Sequence, residues 1–535
     1  MPWNFGDILE AVEAVLPPDA PAFIHGSRTI KWSDASRRSN NLARALIKRG
    51  AKPGNKVAFY MRNRPEYCET MAAAFKARLT HVNVNYRYKP DEVFYIFDNS
   101  DAQTVVYGAE FRDVIAEIRP RLTKVQTFVE VTEGAPAPFA ERFEDLVNEG
   151  DGSPLKLERS PQDEFFIYTG GTTGMPKGVI WTHDDLRETH LTSLRRLGPV
   201  PETLDALVAS IKEVGPGPRL LPACPLMHGT GMLMAMATML AGGSVVTLEG
   251  AHFDPVELWD AVDKHRVATI VIVGDAFAKP MLQVLDANPG KYDLSCVVNM
   301  VSSGVMWSVE VKRGLIRHIP QILLVDSFGS SESVGLGSSQ MTKDGEIQTA
   351  KFTIGERCKV FDENDQPVLP GSGKTGMIAQ CPPIPLGYYK DPEKTAKTFR
   401  TIDGVRYSMP GDWCRVEADG TLTLLGRGSV CINTAGEKVY PEEVEEALKT
   451  HPAIADALVV GVPDERWGQS VTAVVHIAPN HPFDESDLRR HVKSKLADYK
   501  TPKRVLASTI SLRAPNGKAD YKAAGEFARS ELGIG

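Results

Sequence analysis

At 535 residues, 42% hydrophobic and 24% charged, the chain has the makeup of an ordinary soluble globular protein and is too long for one typical core, so two or more domains are expected. A net charge of -7 leaves no basic footprint and argues against nucleic acid as the main partner. The seven cysteines are scattered, with no Cys-x-x-Cys, which argues against a zinc site or a disulfide framework and for a reducing compartment.

In chain order, MPWNFGDILEAVEAVLPPDAP lacks the basic start and apolar stretch of a signal peptide, and no later run approaches the ~20 apolar residues of a membrane span. A soluble, cytoplasmic protein with no transmembrane segment is expected. Ser33 opens a helical pattern whose apolar side carries Leu42, Ala45 and Leu46 and which stops at Gly50. Short β-branched runs then recur: KVAFY (56–60), TVVY (104–107), FFIYT (165–169), SVVTL (244–248), ATIVIV (268–273), CVVNMV (296–301) and ILLV (322–325). Continuous rather than alternating apolar runs predict strands buried on both faces. DPVELWDAVDKHRV (254–267) predicts a helix feeding directly into ATIVIV. Strands alternating with helices give an α/β class with largely parallel sheets.

After about residue 350 the texture changes to Gly, Pro and Asp with short strands, which predicts a β-rich subdomain over about 350–425. Past GRGSV (426–430) the helix PEEVEEALKTH, strands ADALVVGV and VTAVVHI, the helix ESDLRRHVKSKLADY and a final TISLR strand predict a compact α+β module. The expected division is 1–428 and 429–535.

The chemistry starts at FFIYTGGTTGMPKGVI (165–180). A buried strand emptying into a glycine-rich loop offers backbone N–H groups at a sheet edge, where α/β proteins bind phosphates. Thr169, Thr172 and Thr173 add hydroxyls and Lys177 adds a positive charge. The P-loop of NTPases needs Gly-x4-Gly-Lys-Ser/Thr; here Gly174 is followed by Met-Pro-Lys, and Lys177 by Gly178, so that pattern fails.

YTGGTTGMPKGV resembles the phosphate-binding motif of the adenylate-forming (ANL) superfamily, which holds acyl- and aryl-CoA synthetases, luciferases and the adenylation domains of peptide synthetases. The resemblance runs over nearly the whole chain. It implies that Thr169, Gly170, Gly171, Thr172, Thr173, Gly174 and Lys177 grip ATP phosphates, with Gly170 standing where Ser is commoner. DSFGSSES (326–333) resembles the segment that packs an aromatic ring on adenine and holds Mg²⁺. That implies nucleotide contacts from Asp326, Phe328, Gly329, Ser330 and Ser331, and Glu332 as the metal carboxylate. Alone, Glu332 would read as a surface residue. SSGVM (302–306) resembles the strand end lining adenine and the acyl entrance, which implies Ser303 and Gly304.

Further on, Asp412 and Arg427 resemble the pair that grips the ribose hydroxyls; one accepts and the other donates, which suits a diol. Ser429 stands at the family's hinge between domains, where Asp or Lys is commoner, and Asn433 departs from a frequent Lys. TAGEKVYPEEVE resembles the element that meets the pantetheine arm, which implies CoA contacts from Gly436, Glu437 and Lys438. Lys518, in APNGKADYK, matches the lysine that serves adenylation. PLMHGTGM (225–232) resembles the segment whose histidine sits near the substrate carboxylate, which is the leading reading of His228, with a core histidine as the alternative. With Asp275 and Gly304 it outlines the acyl pocket.

The resemblance is strongest to bacterial steroid-side-chain and fatty acyl-CoA synthetases. It implies an ATP-dependent acyl-CoA ligase acting through acyl-AMP, with ATP, Mg²⁺ and coenzyme A, a hydrophobic monocarboxylic acid as substrate, and a small C-terminal domain that moves between half-reactions. A homodimer stays open. An adenylating enzyme for an aromatic or short acid, or one passing its acyl group to a carrier protein, is the second reading. A non-catalytic or kinase-like ATP-binding protein is the third, and the pairing of Lys518 with Glu332 argues against it.

Overall fold

The computed structural model describes residues 3–169, 175–195, 198–304, 307–345, 351–427, 430, 432–434, 437–464, 468–496, 498–514 and 519–534. The chain divides into two compact units, Met1–Thr349 with Gln380–Ser408, and Ala350–Ala379 with Met409–Gly535.

The first unit holds two sheets. One runs in the order Arg28–Lys31, Pro21–His25, Ser244–Thr247, Arg219–Pro222, Thr269–Ile272, Asn299–Ser303, Leu323–Ser330, Ser333–Met341. It is parallel from Pro21–His25 to Leu323–Ser330 and antiparallel at both margins. The other runs Gly387–Tyr388, Lys177–Thr182, Glu164–Thr169, Thr80–Asn83, Lys56–Tyr60, Ala102–Gly108, Thr127–Val131, Glu141–Arg142. Helices Phe5–Glu13, Trp32–Lys48, Pro65–Lys76 and Gly229–Leu240 supply a core shared with residues of both sheets, such as Phe59, Phe165, Val245 and Val271. Helices Pro255–His265, Asp275–Ala287 and Val309–His318 cover the outer face of the first sheet. Pro90–Asn99 and Arg112–Ile118 cover that of the second. This α/β layering, buried on both faces, is what the continuous apolar runs require.

Local chemistry explains the boundaries. Asp254 caps Pro255–His265 by accepting from the Val256 N–H, with proline in the first turn. Gly50, at φ +95°, ends the helix that the sequence starts at Ser33. That helix begins at Trp32, capped by Lys31 without a side-chain bond, because the Trp32 N–H is bound to the Ala20 carbonyl at 2.8 Å. The CVVNMV strand begins only at Asn299; the Val297 N–H closes a turn on Leu294 and the Val298 N–H meets Ala268.

In the second unit, strands Lys351–Ile354, Leu422–Arg427, Asp412–Val416 and Thr375–Gln380 lie side by side. A further sheet runs Glu437–Val439, Ile432–Thr434, Gly468–Ile477, Ile454–Asp464, and Arg504–Ala507 pairs in parallel with Gly468–Ile477. Helices Pro441–Lys449 and Glu485–Lys495 pack on one face, and Tyr521–Glu531 on the other. The TISLR strand is a correction. Residues 509–513 make only an isolated bridge, Arg513 to Ala519, because Arg504–Ala507 already takes the ladder position and Leu512 drops into the core from a loop. Among the described residues no helix is long and apolar enough to cross a membrane.

Candidate active site

The strand Glu164–Thr169 returns as the antiparallel strand Lys177–Thr182, with Thr169 and Lys177 opposite each other. These two residues bracket the glycine-threonine loop. Gly170, Gly171, Thr172, Thr173 and Gly174 lie outside the described residues, as do Ser429, Gly436 and Lys518.

Lys177 donates from Nζ to Asp391 Oδ2 at 2.6 Å, and this bond holds the Asp391 carboxyl below the usual carboxylate range. The ammonium also lies 5.7 Å from the Tyr388 ring centroid. Tyr388, on the short strand paired with Val179, donates its hydroxyl to Glu332 Oε1 at 2.7 Å. Glu332 stands in the two-residue turn between Leu323–Ser330 and Ser333–Met341, where Ser330 pairs with Ser333. Three bonds pin that turn: Trp181 Nε1 donates to the Ser331 carbonyl at 2.9 Å, Ser408 Oγ to the Glu332 carbonyl at 2.7 Å, and Ser333 Oγ to Ser408 Oγ at 2.8 Å. A single strand, Lys177–Thr182, thus touches the loop lysine, the tyrosine strand and the glutamate turn. Among the described residues Glu332 Oε2 accepts no hydrogen bond. A half-buried carboxylate with one oxygen held and one unclaimed suits Mg²⁺, which takes one or two carboxylates along with phosphate oxygens and water. No group of three His, Cys, Asp or Glu among the described residues could cage a metal alone.

The other side of the site is the carboxyl edge of the parallel sheet, where open α/β sheets take ligands. Ser303 pairs with Ser327 in neighbouring parallel strands, Gly304 follows at φ +85°, and Phe328 continues the adjacent strand, buried. The next strand over, Thr269–Ile272, leads to Gly274, whose N–H is bound by Ser302 Oγ at 2.9 Å. Asp275 then accepts from the Ser308 N–H and hydroxyl at 3.0 and 3.1 Å. Asp326 forms an ion pair with the buried Lys312; burial raises its pKa, opposed by that ammonium. His228 is the N-cap of Gly229–Leu240. Its loop is clamped by Asn63, which donates to the Cys224 carbonyl at 3.0 Å and accepts from the Leu226 N–H at 2.7 Å. The nearby Cys224 thiol is pushed up to about 12 by burial, so it is no nucleophile.

Asn83 joins the two sides. The ladder between Thr80–Asn83 and Glu164–Thr169 ends at Val82 opposite Phe166, and the Asn83 amide continues it. The amide accepts from the Tyr168 N–H at 2.7 Å and donates to the Tyr168 carbonyl at 2.9 Å and the Met227 carbonyl at 2.7 Å. The residue before the loop strand's last threonine is thereby fixed to the residue before His228.

In the second unit Asp412 and Arg427, which the resemblance implies for the ribose, stand opposite each other in the register of two antiparallel strands. Gly426, beside them, holds φ +117°, a backbone conformation that strains any residue with a Cβ. Glu437 and Lys438 form the returning strand of a hairpin, opposite Thr434 and Asn433.

Tyr388, Asp391, Lys312, Asn83 and Trp181 carry no motif that marks them in the sequence. Asp391 lies 214 positions from Lys177, so no spacing could connect them; the one local sign is the aromatic pair Tyr388–Tyr389 after the proline-rich 382–385.

Comparison with known proteins gives concordant findings. The family model described as AMP-binding enzyme matches residues 11–381, and that of the AMP-binding enzyme C-terminal domain matches 443–518. The chain is 40% identical, over 100% of its length and 97% of the relative's, to a 3-oxocholest-4-en-26-oate–CoA ligase of Rhodococcus rhodochrous. It is 39% identical, over 98% and 96%, to a medium/long-chain-fatty-acid–CoA/3-oxocholest-4-en-26-oate–CoA ligase of Mycolicibacterium smegmatis. A crystal structure of an anthranilate CoA ligase in complex with anthranoyl-AMP shares the fold, with a TM-score of 0.83 at 22% identity over 99% of this chain and 98% of that one.

Proposed function

We infer, from the premise that the chain belongs to the AMP-binding enzyme family, that it joins a bulky hydrophobic monocarboxylic acid, a fatty acid or a steroid side-chain acid, to coenzyme A. ATP-dependent acyl-CoA ligation, an acid–thiol ligase activity, is the reaction; the acid's identity is the proposal. The observation that carries it is the full-length identity to ligases named for steroid and medium- or long-chain fatty acids. The apolar, methionine-rich helix after His228 supports it, since thioether side chains adapt to large apolar shapes.

In the first half-reaction a carboxylate oxygen attacks the α-phosphorus of ATP and pyrophosphate leaves. In the second the CoA thiol, as thiolate, attacks the acyl carbonyl of acyl-AMP and AMP leaves. Positioning and cations lower the first barrier by bringing like charges together. Thr169, Lys177 and the intervening loop would hold the β- and γ-phosphates, Glu332 would hold Mg²⁺, and Asp412 with Arg427 would hold the ribose. Magnesium, when bound with the nucleotide, would neutralise phosphate oxygens. His228, fixed relative to the loop strand through Asn83, would face the acid's carboxylate, and Asp275 and Gly304 would border its tail. Lys518 would bridge the carboxylate and the α-phosphate and then withdraw as residues 429–535 pivot at Ser429, so that Glu437 and Lys438 meet the pantetheine arm.

The test is pyrophosphate release screened over short, long-chain, aromatic and steroid acids, with and without CoA, with the thioester identified by mass. Long-chain or steroid acids should give a CoA-dependent thioester. Turnover with short or aromatic acids alone would overturn the substrate class, and pyrophosphate release that ignores CoA would favour another acceptor.

A further inference from the structure

We propose that Tyr388 is a positioning residue for adenylation, holding Oε1 of Glu332 so that Oε2 is presented in one fixed direction. This rests on the reading of Glu332 as the magnesium carboxylate given above.

The backbone of the Glu332 turn is pinned from Trp181, Ser408 and Ser333. None of these contacts reaches the carboxylate, which hangs on three rotatable bonds. Among the described residues the Tyr388 hydroxyl is the only group bonded to it. Fixing one glutamate's rotamers changes the population of the productive arrangement by roughly tenfold.

The tyrosine is built to serve as a fixed point. It is 7% exposed, its ring sits edge-on to Phe399 with centroids 5.8 Å apart, and its N–H is bound by Thr395 Oγ1 at 2.9 Å. Gly387 is required for this approach: its φ is +148°, and a Cβ there would meet Thr395 Cγ2 at 2.5 Å. The hydroxyl donates its single hydrogen bond to Oε1, which leaves the lone pairs of Oε2 for a hard cation. The same ring lies beside the Lys177 ammonium, so one side chain sets the spacing between the loop lysine and the metal carboxylate.

The experiment uses full-length Tyr388→Phe with Glu332→Gln and Phe399→Leu as parallel arms. Mn²⁺ binding is followed by electron paramagnetic resonance in the presence of α,β-methylene-ATP, alongside the Mg²⁺ dependence of pyrophosphate release and CoA transfer from supplied acyl-AMP. Removing a group that orients a metal ligand typically costs 10- to 100-fold in metal affinity. Tyr388→Phe should raise both half-saturating metal concentrations roughly tenfold. CoA transfer should stay within about twofold of wild type, since Glu332 serves only the first half-reaction in this reading. In the Glu332→Gln background the tyrosine substitution should add almost nothing. Phe399→Leu, which loosens the packing but keeps the hydroxyl, should leave metal saturation in place. Unchanged metal saturation in Tyr388→Phe, additive effects in the double variant, or an equal shift in Phe399→Leu would each overturn the proposal. If Glu332→Gln itself leaves metal saturation unchanged, the assignment of Glu332 fails instead.

Discussion

Replacing Asn83 with leucine keeps the branching of the side chain but removes the amide that does the work of backbone at the point where a ladder ends. The substitution strips partners from the Tyr168 N–H, the Tyr168 carbonyl and the Met227 carbonyl, at a site only 3% exposed. A buried polar group left unpaired costs about 1–3 kcal/mol. Three such groups place the loss at about 3–9 kcal/mol, and because carbonyls bear under-satisfaction better than N–H groups, the expected value is about 4 kcal/mol. Asn83→Asp keeps the acceptor for Tyr168 but sets a carboxylate against two carbonyl oxygens, so its penalty should grow as pH rises above about 4, where the unfolded chain ionises. Urea denaturation followed by tryptophan fluorescence measures both. KM for the acid should rise in Asn83→Asp because the His228 loop loses its tie to the loop strand. A loss under about 1 kcal/mol for Asn83→Leu, with KM values for acid and ATP unchanged, would refute this account.

Lys518→Ala should abolish acyl-AMP formation while leaving CoA transfer from supplied acyl-AMP largely intact, checked by assaying each half-reaction alone; equal loss in both would remove the assigned role. Ser429→Pro locks φ near -65° and should let acyl-AMP accumulate on the enzyme without discharge by CoA; wild-type rates in both steps would move the pivot elsewhere. Glu445, buried at 3% exposure with its carboxylate on the Val459 N–H, has its pKa pushed up to about 7 by burial. Its folded state therefore holds a proton that the unfolded chain has released, so this group's contribution falls as pH rises from about 4.5 to 7, by about 3 kcal/mol in all. Glu445→Gln should remove that slope, read as hydrogen-exchange protection of Ile454–Asp464 in the full chain; an unchanged slope would assign it to another group.

The strands at Lys56, Ala102, Glu164, Ser244 and Leu323 were legible because chains buried on both faces must be apolar at every position. Thr80–Asn83 was not, although it is central in its sheet. Its polar members are matched only after folding: His81 meets the Phe166 carbonyl and the Tyr67 hydroxyl, and Asn83 meets Tyr168 and Met227. The glycine-threonine loop announces itself through residues that lie together in the chain. Tyr388 and Asp391 act on residues distant in sequence, through single bonds that leave no periodic trace.

The Lys177–Asp391 pair bears on how fast and how tightly the nucleotide is captured. An ammonium matched to a carboxylate at 2.6 Å projects little attraction to a distant polyanion, and the chain's net charge of -7 repels one. In the role proposed for Lys177, this pair would add little long-range attraction for ATP, and added salt should hasten arrival by screening the net repulsion. In that role, a phosphate would take the lysine only as Asp391 gives it up to water. That exchange would replace one anion with another, so little net affinity would accrue at this position. Pyrophosphate would leave by the same trade in reverse, with Asp391 placed to reclaim the cation.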